Sequence, residues 1–383
     1  MDPALRPLLA TAALVLIPCA LTAQDTTDTY GEPSHWSLDL PVKGYGIGFG
    51  NSSRFTGLRF NWADAGLERI NGINVTLYRP GKPVTGTVNG LSIGLAGPAA
   101  ADLNGVSIGL LGAVAEHVIR GVAVTGLGAV SQGRIEGVSI AGLGVVAQGS
   151  IGGISVAGLG VVSQGGMSGF SASGLGVVSQ GSMAGINLAG LGVVSQGSMT
   201  GITVSGLGTV SQGHLYGASI SGLAAVAQGE LWGAHAAGLA VVSQGDIRGL
   251  VLSGIATVAQ GQVRGFAVSG VAVVAQQGTD GVSAATVAVV SQGLLRGITV
   301  AGYQVRSPRV SGITLAGINL KTGAMSGLSV SAFNQIRGLQ AGVAIGLLNY
   351  ARVLRGIQIG VLNIARNNPP PFRVLPLINA HFD

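Results

Sequence analysis

The stretch GINLAGLGVVSQGSMT, residues 185–200, decides the fold, because it is one copy of a series. Its glutamine, Gln196, belongs to a column spaced by sixteen: Gln132, Gln148, Gln164, Gln180, Gln196, Gln212, Gln228, Gln244, Gln260, Gln276 and Gln292. A glycine keeps the same spacing from Gly105 to Gly297, so twelve units of sixteen residues fill 105–296. Looser units begin at Gly57, Gly72 and Gly90, and again at Gly312, Gly327, Gly342 and Gly356, giving twenty unit starts with Gly297. A fixed period of this size points to a repeat architecture.

Numbered from its first glycine, the unit reads G-[IV]-x-[IV]-[AS]-G-L-[GA]-x-V-[SA]-Q-G-x-[ILM]-x. Positions 2 and 4 are apolar around a small polar residue, as in Ile186-Asn187-Leu188 and Ile202-Thr203-Val204. That alternation is the period of a strand. Glycines at positions 1, 6, 8 and 13 would each cost a helix about 1 kcal/mol relative to alanine.

Two architectures fit. In a parallel β-solenoid each unit is one coil. Sixteen residues at about 3.3 Å give a perimeter of roughly 53 Å, and coils stack at about 4.8 Å, so about twenty coils make a rod. Each unit position then becomes a column along the rod. Positions 2, 4, 7 and 10 are expected to form the core, and the glutamine column an amide ladder of the cross-β kind. In an outer-membrane β-barrel or pore, each unit would instead be one tilted strand. The lack of charge suits that alternative, since 137–229 hold no Asp, Glu, Lys or Arg. The scarcity of aromatics in the repeat and the sameness of every linker oppose it. The all-β, parallel solenoid is the favoured expectation.

Composition narrows the function classes. The 383 residues include 67 glycines, while charged residues make up only 9%. An ordinary globular enzyme carries about 25% charged residues and about 7% glycine. A disordered chain would be richer in charge and poorer in Val, Ile and Leu. Glycine does not recur every third residue, which excludes collagen.

The ends differ from the middle. Residues 1–23 read as a secretory signal peptide, with Arg6 before the apolar run Leu8 to Ile17 and a cut expected after Ala23. The single cysteine, Cys19, lies there in Leu16-Ile17-Pro18-Cys19, similar to a lipoprotein box except for its proline. Residues 24–56 are expected to form an N-terminal cap, 57–368 the solenoid and 369–383 a C-terminal cap. Caps cover end coils that would otherwise template polymerisation.

The last units carry a resemblance. Residues 342–351, GVAIGLLNYA, and 356–365, GIQIGVLNIA, resemble the G-[VIL]-Q-I-G-L-[LIV]-N-x-A units of bacterial surface repeat-containing proteins. Residues 90–95 and 105–111 match more weakly, and the ending VLPLINAHF is similar to the tail of that family. The resemblance implies an exported, non-enzymatic protein of the bacterial cell surface, outer membrane or periplasm.

No catalytic, cofactor or metal constellation emerges. His35, His117, His214, His235 and His381 are scattered and read as solvated surface residues. The Gly-Leu-Gly of 158–160 lacks the third glycine and the helix of a dinucleotide fingerprint. One feature departs from monotony. Position 14 reads His214, Glu230, Asp246, and position 16 reads Tyr216, Trp232, Arg248, Arg264. In a solenoid these seven form one ridge, a candidate partner-binding site, with Trp232 one coil from Arg248 and a cation–π contact between them expected. The C-terminal third adds a second hint: Arg296, Arg306, Arg309, Lys321, Arg337, Arg352, Arg355, Arg366 and Arg373 face a single acid, Asp383. Such a surface suits envelope lipid or acidic polysaccharide; nucleic acid does not fit an exported chain.

Overall fold

In the computed structural model the chain is all-β over the residues it describes, 36–78 and 84–382. The segment read as a leader, with Cys19 and Ala23, and the first part of the 24–56 cap lie outside the described residues. From 57 onward the chain winds into a parallel β-solenoid of about 18 turns, with about 16 residues in each.

Each regular coil has a long and a short strand. In the unit that starts at Gly185 these are Met183–Ala189 and Gly192–Ser195. The next coil repeats them in parallel, a period later, with Met183 opposite Met199, Gly185 opposite Gly201 and Val193 opposite Thr209. A one-strand-per-unit barrel needs antiparallel neighbours, so the barrel alternative does not describe this fold.

Glycine at position 1 sets the stacking. Gly201 has φ +115°, and a Cβ there would lie 2.1 Å from the carbonyl oxygen of Gly185 in the coil before. Only glycine tolerates both the conformation and the contact. Position 8 is different: a Cβ on Gly192 would meet Gly208 O at 3.4 Å, near ordinary contact. The chain itself places alanine at that position, in Ala224, Ala240, Ala256, Ala272 and Ala288.

The core lies in the opposite phase to the one expected. Positions 3, 5, 9, 11 and 15 point inward. In the Gly185 unit these are Asn187, Ala189, Val193, Ser195 and Met199, all buried, whereas Ile186 and Leu191 are exposed and Leu188 and Val194 half-buried. The apolar columns at positions 2, 4, 7 and 10 therefore form the outer surface. Volume explains the inversion. The two strands lie close together beside the corner, where Ser205 Oγ is 3.0 Å from Thr209 Oγ1. One large side chain per coil, at position 15, fills the widest part, and small residues fill the rest at close-packed density.

The polar interior is bonded in two ways. Position-11 serines donate to the turn carbonyl of the previous coil: Ser163 to Gly149 at 2.6 Å, Ser195 to Gly181 at 2.8 Å, Ser243 to Gly229 at 2.7 Å. Elsewhere hydroxyls meet one another, as in Ser205, Thr209 and Ser221, and again in Ser253, Thr257 and Ser269. Each such bond removes the cost of burying a bare hydroxyl.

Both ends change pairing. Ser37–Val42 and Tyr45–Gly50 form an antiparallel hairpin that lies against the first coil strand, Arg54–Asn61. At the other end Val374–His381 runs antiparallel to the last coil. The first coils also enclose a buried ion pair: Arg59 Nη1 donates to Asp64 Oδ1 at 2.6 Å and to Asn74 Oδ1 at 2.9 Å.

The inverted core gives a sharp expectation. Val193→Asp buries an unpaired carboxylate and should cost about 3 kcal/mol or more, or prevent folding. Val194→Asp, one residue on and facing outward, should cost under about 1 kcal/mol. Thermal melting followed by circular dichroism separates them; equal loss in both would contradict the inward face assigned here. In the same assay Gly201→Ala should be far more damaging than Gly192→Ala.

Candidate partner-binding ridge

The strand register brings the predicted ridge together. At position 16, Tyr216 stands opposite Trp232, Trp232 opposite Arg248, and Arg248 opposite Arg264. The same column continues to Asp280 and Arg296, which the sequence reading left out although they keep the sixteen-residue spacing.

Position 14 does structural work between coils. Ser198 Oγ accepts from the backbone N–H of His214 at 3.1 Å, His214 Nδ1 from that of Glu230 at 3.0 Å, and Asp246 Oδ1 from that of Gln262 at 2.8 Å. Each side chain thus closes the turn of the following coil, where no strand partner takes the N–H. His214 and Asp246 serve the scaffold, and the rings and guanidiniums beside them face solvent.

The aromatic part of the ridge is contiguous. His214 stacks on Tyr216 with centroids 5.3 Å apart, and Tyr216 meets Trp232 edge-on at 6.2 Å. Trp232 is 59% exposed. Arg248 turns to its acids instead of to Trp232: its Nη2 lies 3.0 Å from Asp246 Oδ2 and 3.5 Å from Glu230 Oε1. No cation–π contact joins Trp232 and Arg248; among the described residues such a pair forms instead where Arg366 lies over Tyr350, at 5.6 Å. An accessible carboxylate offers the guanidinium charge-assisted hydrogen bonds that a ring face lacks. Arg264 bonds to Gln262 Oε1 within its own coil, at 2.6 and 2.9 Å.

The electrostatics follow from these contacts. Desolvation pushes the Asp246 carboxyl up, but the Gln262 N–H and the hydrogen bond and charge of Arg248, with Arg264 beyond, outweigh it and hold the group below its ordinary value. The same hydrogen bond to Asp246, with Glu230 nearby, raises Arg248. The ridge therefore presents the exposed ring of Trp232 and the half-buried ring of Tyr216 beside a tied, zwitterionic patch.

The glutamine column does not form a ladder. Ten of the eleven side chains are exposed and Gln260 is half-buried. Among the described residues no hydrogen bond joins one of these side chains to the next; the column is held through backbone bonds, such as Gln196 N to Ser179 O at 3.0 Å. Buried amide ladders occur elsewhere. Asn334 donates to Asn349 at 2.7 Å and Asn349 to Asn363 at 2.7 Å, in the coils that carry the Asn of the family-like motif. Gln358 donates to Gln340 at 2.9 Å beside them. An interior amide must find a partner, whereas an exterior one has water.

His235 is a second correction. It is not a solvated surface residue; it sits at position 3, inside the coil, with 2% of its surface exposed, and its Nδ1 lies 2.8 Å from Ser219 Oγ. Burial lowers its pKa from 6.5 to about 4, against a weak upward pull from the Trp232 backbone. Among the described residues no three His, Cys, Asp or Glu side chains are grouped to hold a metal ion.

The buried imidazole makes stability depend on pH. The unfolded chain takes up a proton near pH 6.5, the folded chain only near 4, so this contribution is complete above 6.5 and is lost as pH falls toward 4. The loss amounts to about 3 kcal/mol at its limit. His235→Val, which copies Val251 of the next coil, should flatten the decline of the melting temperature across that window. An unchanged decline in the variant would contradict the assignment.

No family model matches this chain, and no curated protein or solved structure matches it.

Proposed function

We propose that this chain is a non-enzymatic, exported repeat protein of the bacterial cell envelope or surface, with a structural or adhesive role. The observation that carries the reading is the stack of near-identical coils, covered at both ends by antiparallel strands. Such a stack sets a fixed length and offers a long, regular surface, as solenoid repeats do. The leader-like segment 1–23 and the likeness of the last two coils to surface repeat units support the envelope as its place.

Two surfaces suit adhesion. The exposed ring of Trp232 and the half-buried ring of Tyr216 beside it can stack on the apolar faces of sugar rings, while Arg264 offers donors for acidic groups. In the C-terminal third Arg306, Arg309, Arg337, Arg352, Arg355, Arg366 and Arg373 are exposed, an arrangement that favours anionic polysaccharide or lipid headgroups. A cofactor has no part in this role.

Export is the direct test. Expressed with a C-terminal tag in a Gram-negative host, the chain should leave the cytoplasm and begin at Gln24 on N-terminal sequencing. Full-length chain retained in the cytosol would overturn the envelope reading. For adhesion, Tyr216→Ala with Trp232→Ala should weaken binding to an acidic polysaccharide by roughly tenfold at unchanged melting temperature. Equal binding by the variant would remove the ridge from the reading.

A further inference from the structure

The outward apolar columns form one continuous surface. Between 105 and 300 the exposed side chains of positions 2, 4, 7 and 10 include Ile108, Leu143, Leu159, Leu191, Ile220 and Leu239. At about 4.8 Å per coil and about 3.3 Å per residue, the strip is about 58 Å long and about 30 Å in contour. That is well beyond the few hundred Å² of apolar patch that an ordinary monomer exposes.

Charge is sorted against it. Every Asp, Glu, Lys and Arg between 105 and 300 lies at position 12, 14 or 16: Glu116, Arg120, Arg134, Glu136, then Glu230, Asp246, Arg248, Arg264, Asp280 and Arg296. The rod therefore has an apolar long edge, positions 2 to 10, and a polar one, positions 12 to 16. Aromatic residues end the apolar corner: Trp62 stacked on Tyr78 at 5.6 Å before it, and Tyr303, 50% exposed, after it.

We infer that this edge lies in the interfacial layer of a lipid bilayer, with the rod axis parallel to the membrane plane. Three observations support this placement, the first of them against a second copy of the chain. The surface is convex: positions 3 and 5 face positions 9 and 11 inside the coil, so columns 2 and 4 and column 10 look away from one another around the Leu corner. A rigid partner would cover one of these faces and leave the other in water, whereas acyl chains follow both. The backbone of the edge is already paired along the rod axis, coil to coil, as in Leu191 N to Leu175 O at 2.8 Å. The N–H groups of the corner, such as those of Gly190, Leu191 and Gly192, therefore enter the apolar layer already paired, as membrane-exposed backbone requires. The apolar strip is also about twice the thickness of a hydrocarbon core, and a polar edge accompanies it in every coil, so the rod lies along the bilayer and does not cross it. Trp62, Tyr78 and Tyr303 then sit where aromatic side chains anchor to headgroups.

This inference rests on the envelope reading for its biological setting but is tested without export. Purified full-length chain is floated with vesicles of phosphatidylcholine alone at high salt, which removes the attraction of the basic C-terminal third. The wild-type chain should float. A triple variant, Leu159→Glu, Leu191→Glu and Leu223→Glu, should lose roughly tenfold or more of the floated fraction. Gln164→Glu, Gln196→Glu and Gln228→Glu together, on the polar edge, should float as the wild type does. A wild-type chain that stays at the bottom as a dimer, returned to monomer by the leucine variant, would assign the edge to a second copy and overturn the inference. Should the leucine variant fail to fold, Leu191→Trp serves in its place: quenching of its fluorescence by brominated lipid supports the inference, and absence of quenching overturns it. A chain that floats but is not exported refutes the envelope reading alone.

Discussion

At position 1 of each coil an α-carbon rests on the carbonyl oxygen of the coil before, with no space for a β-carbon between them. This contact fixes much else. It holds successive coils in register, one glycine above the next, and with the coil's short perimeter it draws the two strands close together. A narrow interior then dictates side-chain size. Val193 and Met199 fill most of it, and Asn187, Ala189 and Ser195 complete it. Beyond the one large side chain at position 15, further bulky aliphatic residues have no room inside, and they line the outside.

The interior consequently carries whole columns of small polar side chains. Many of its hydroxyls find partners at fixed places, above all the turn carbonyls that position-11 serines reach, while the Ser139, Ser155 and Ser173 hydroxyls have none. The end coils solve the problem with larger groups: an Arg59–Asp64 pair near the start, and asparagine amides bonded in series near the finish. These larger groups sit in the coils nearest the terminal strands that cover the stack.

Much of the architecture was legible in the sequence. The spacing of Gln132 through Gln292 gave the coil length, and the alternation around Asn187 gave the strand. The ridge was legible too, since Tyr216, Trp232, Arg248 and Arg264 had to fall on one line once sixteen residues made a coil. The phase of the strands was not, because alternation is symmetric under a shift of one residue and the usual preference for apolar residues inside chose the wrong face. The signal that could have corrected it was the restriction of positions 3, 5 and 11 to small residues. A solvated surface has no reason to impose such a limit, while a tight interior does. The glutamine column misled for a related reason: a fixed polar residue suggests a ladder, but a ladder forms where water is shut out, as at Asn349. His235 was hidden because nothing in a lone histidine among small residues reveals that its ring replaces a serine inside the coil.

The central coils are interchangeable in a way that the end coils are not. Each meets its neighbours through the same backbone register, with Gly185 on Gly169 and Gly201 on Gly185. A gene duplication or deletion of one sixteen-residue unit between Gly137 and Gly281 would alter the rod by one step of about 4.8 Å and leave every remaining contact of the same kind. Replication slippage in such a gene becomes a graded ruler: it changes reach in fixed increments while both terminal structures stay as they are.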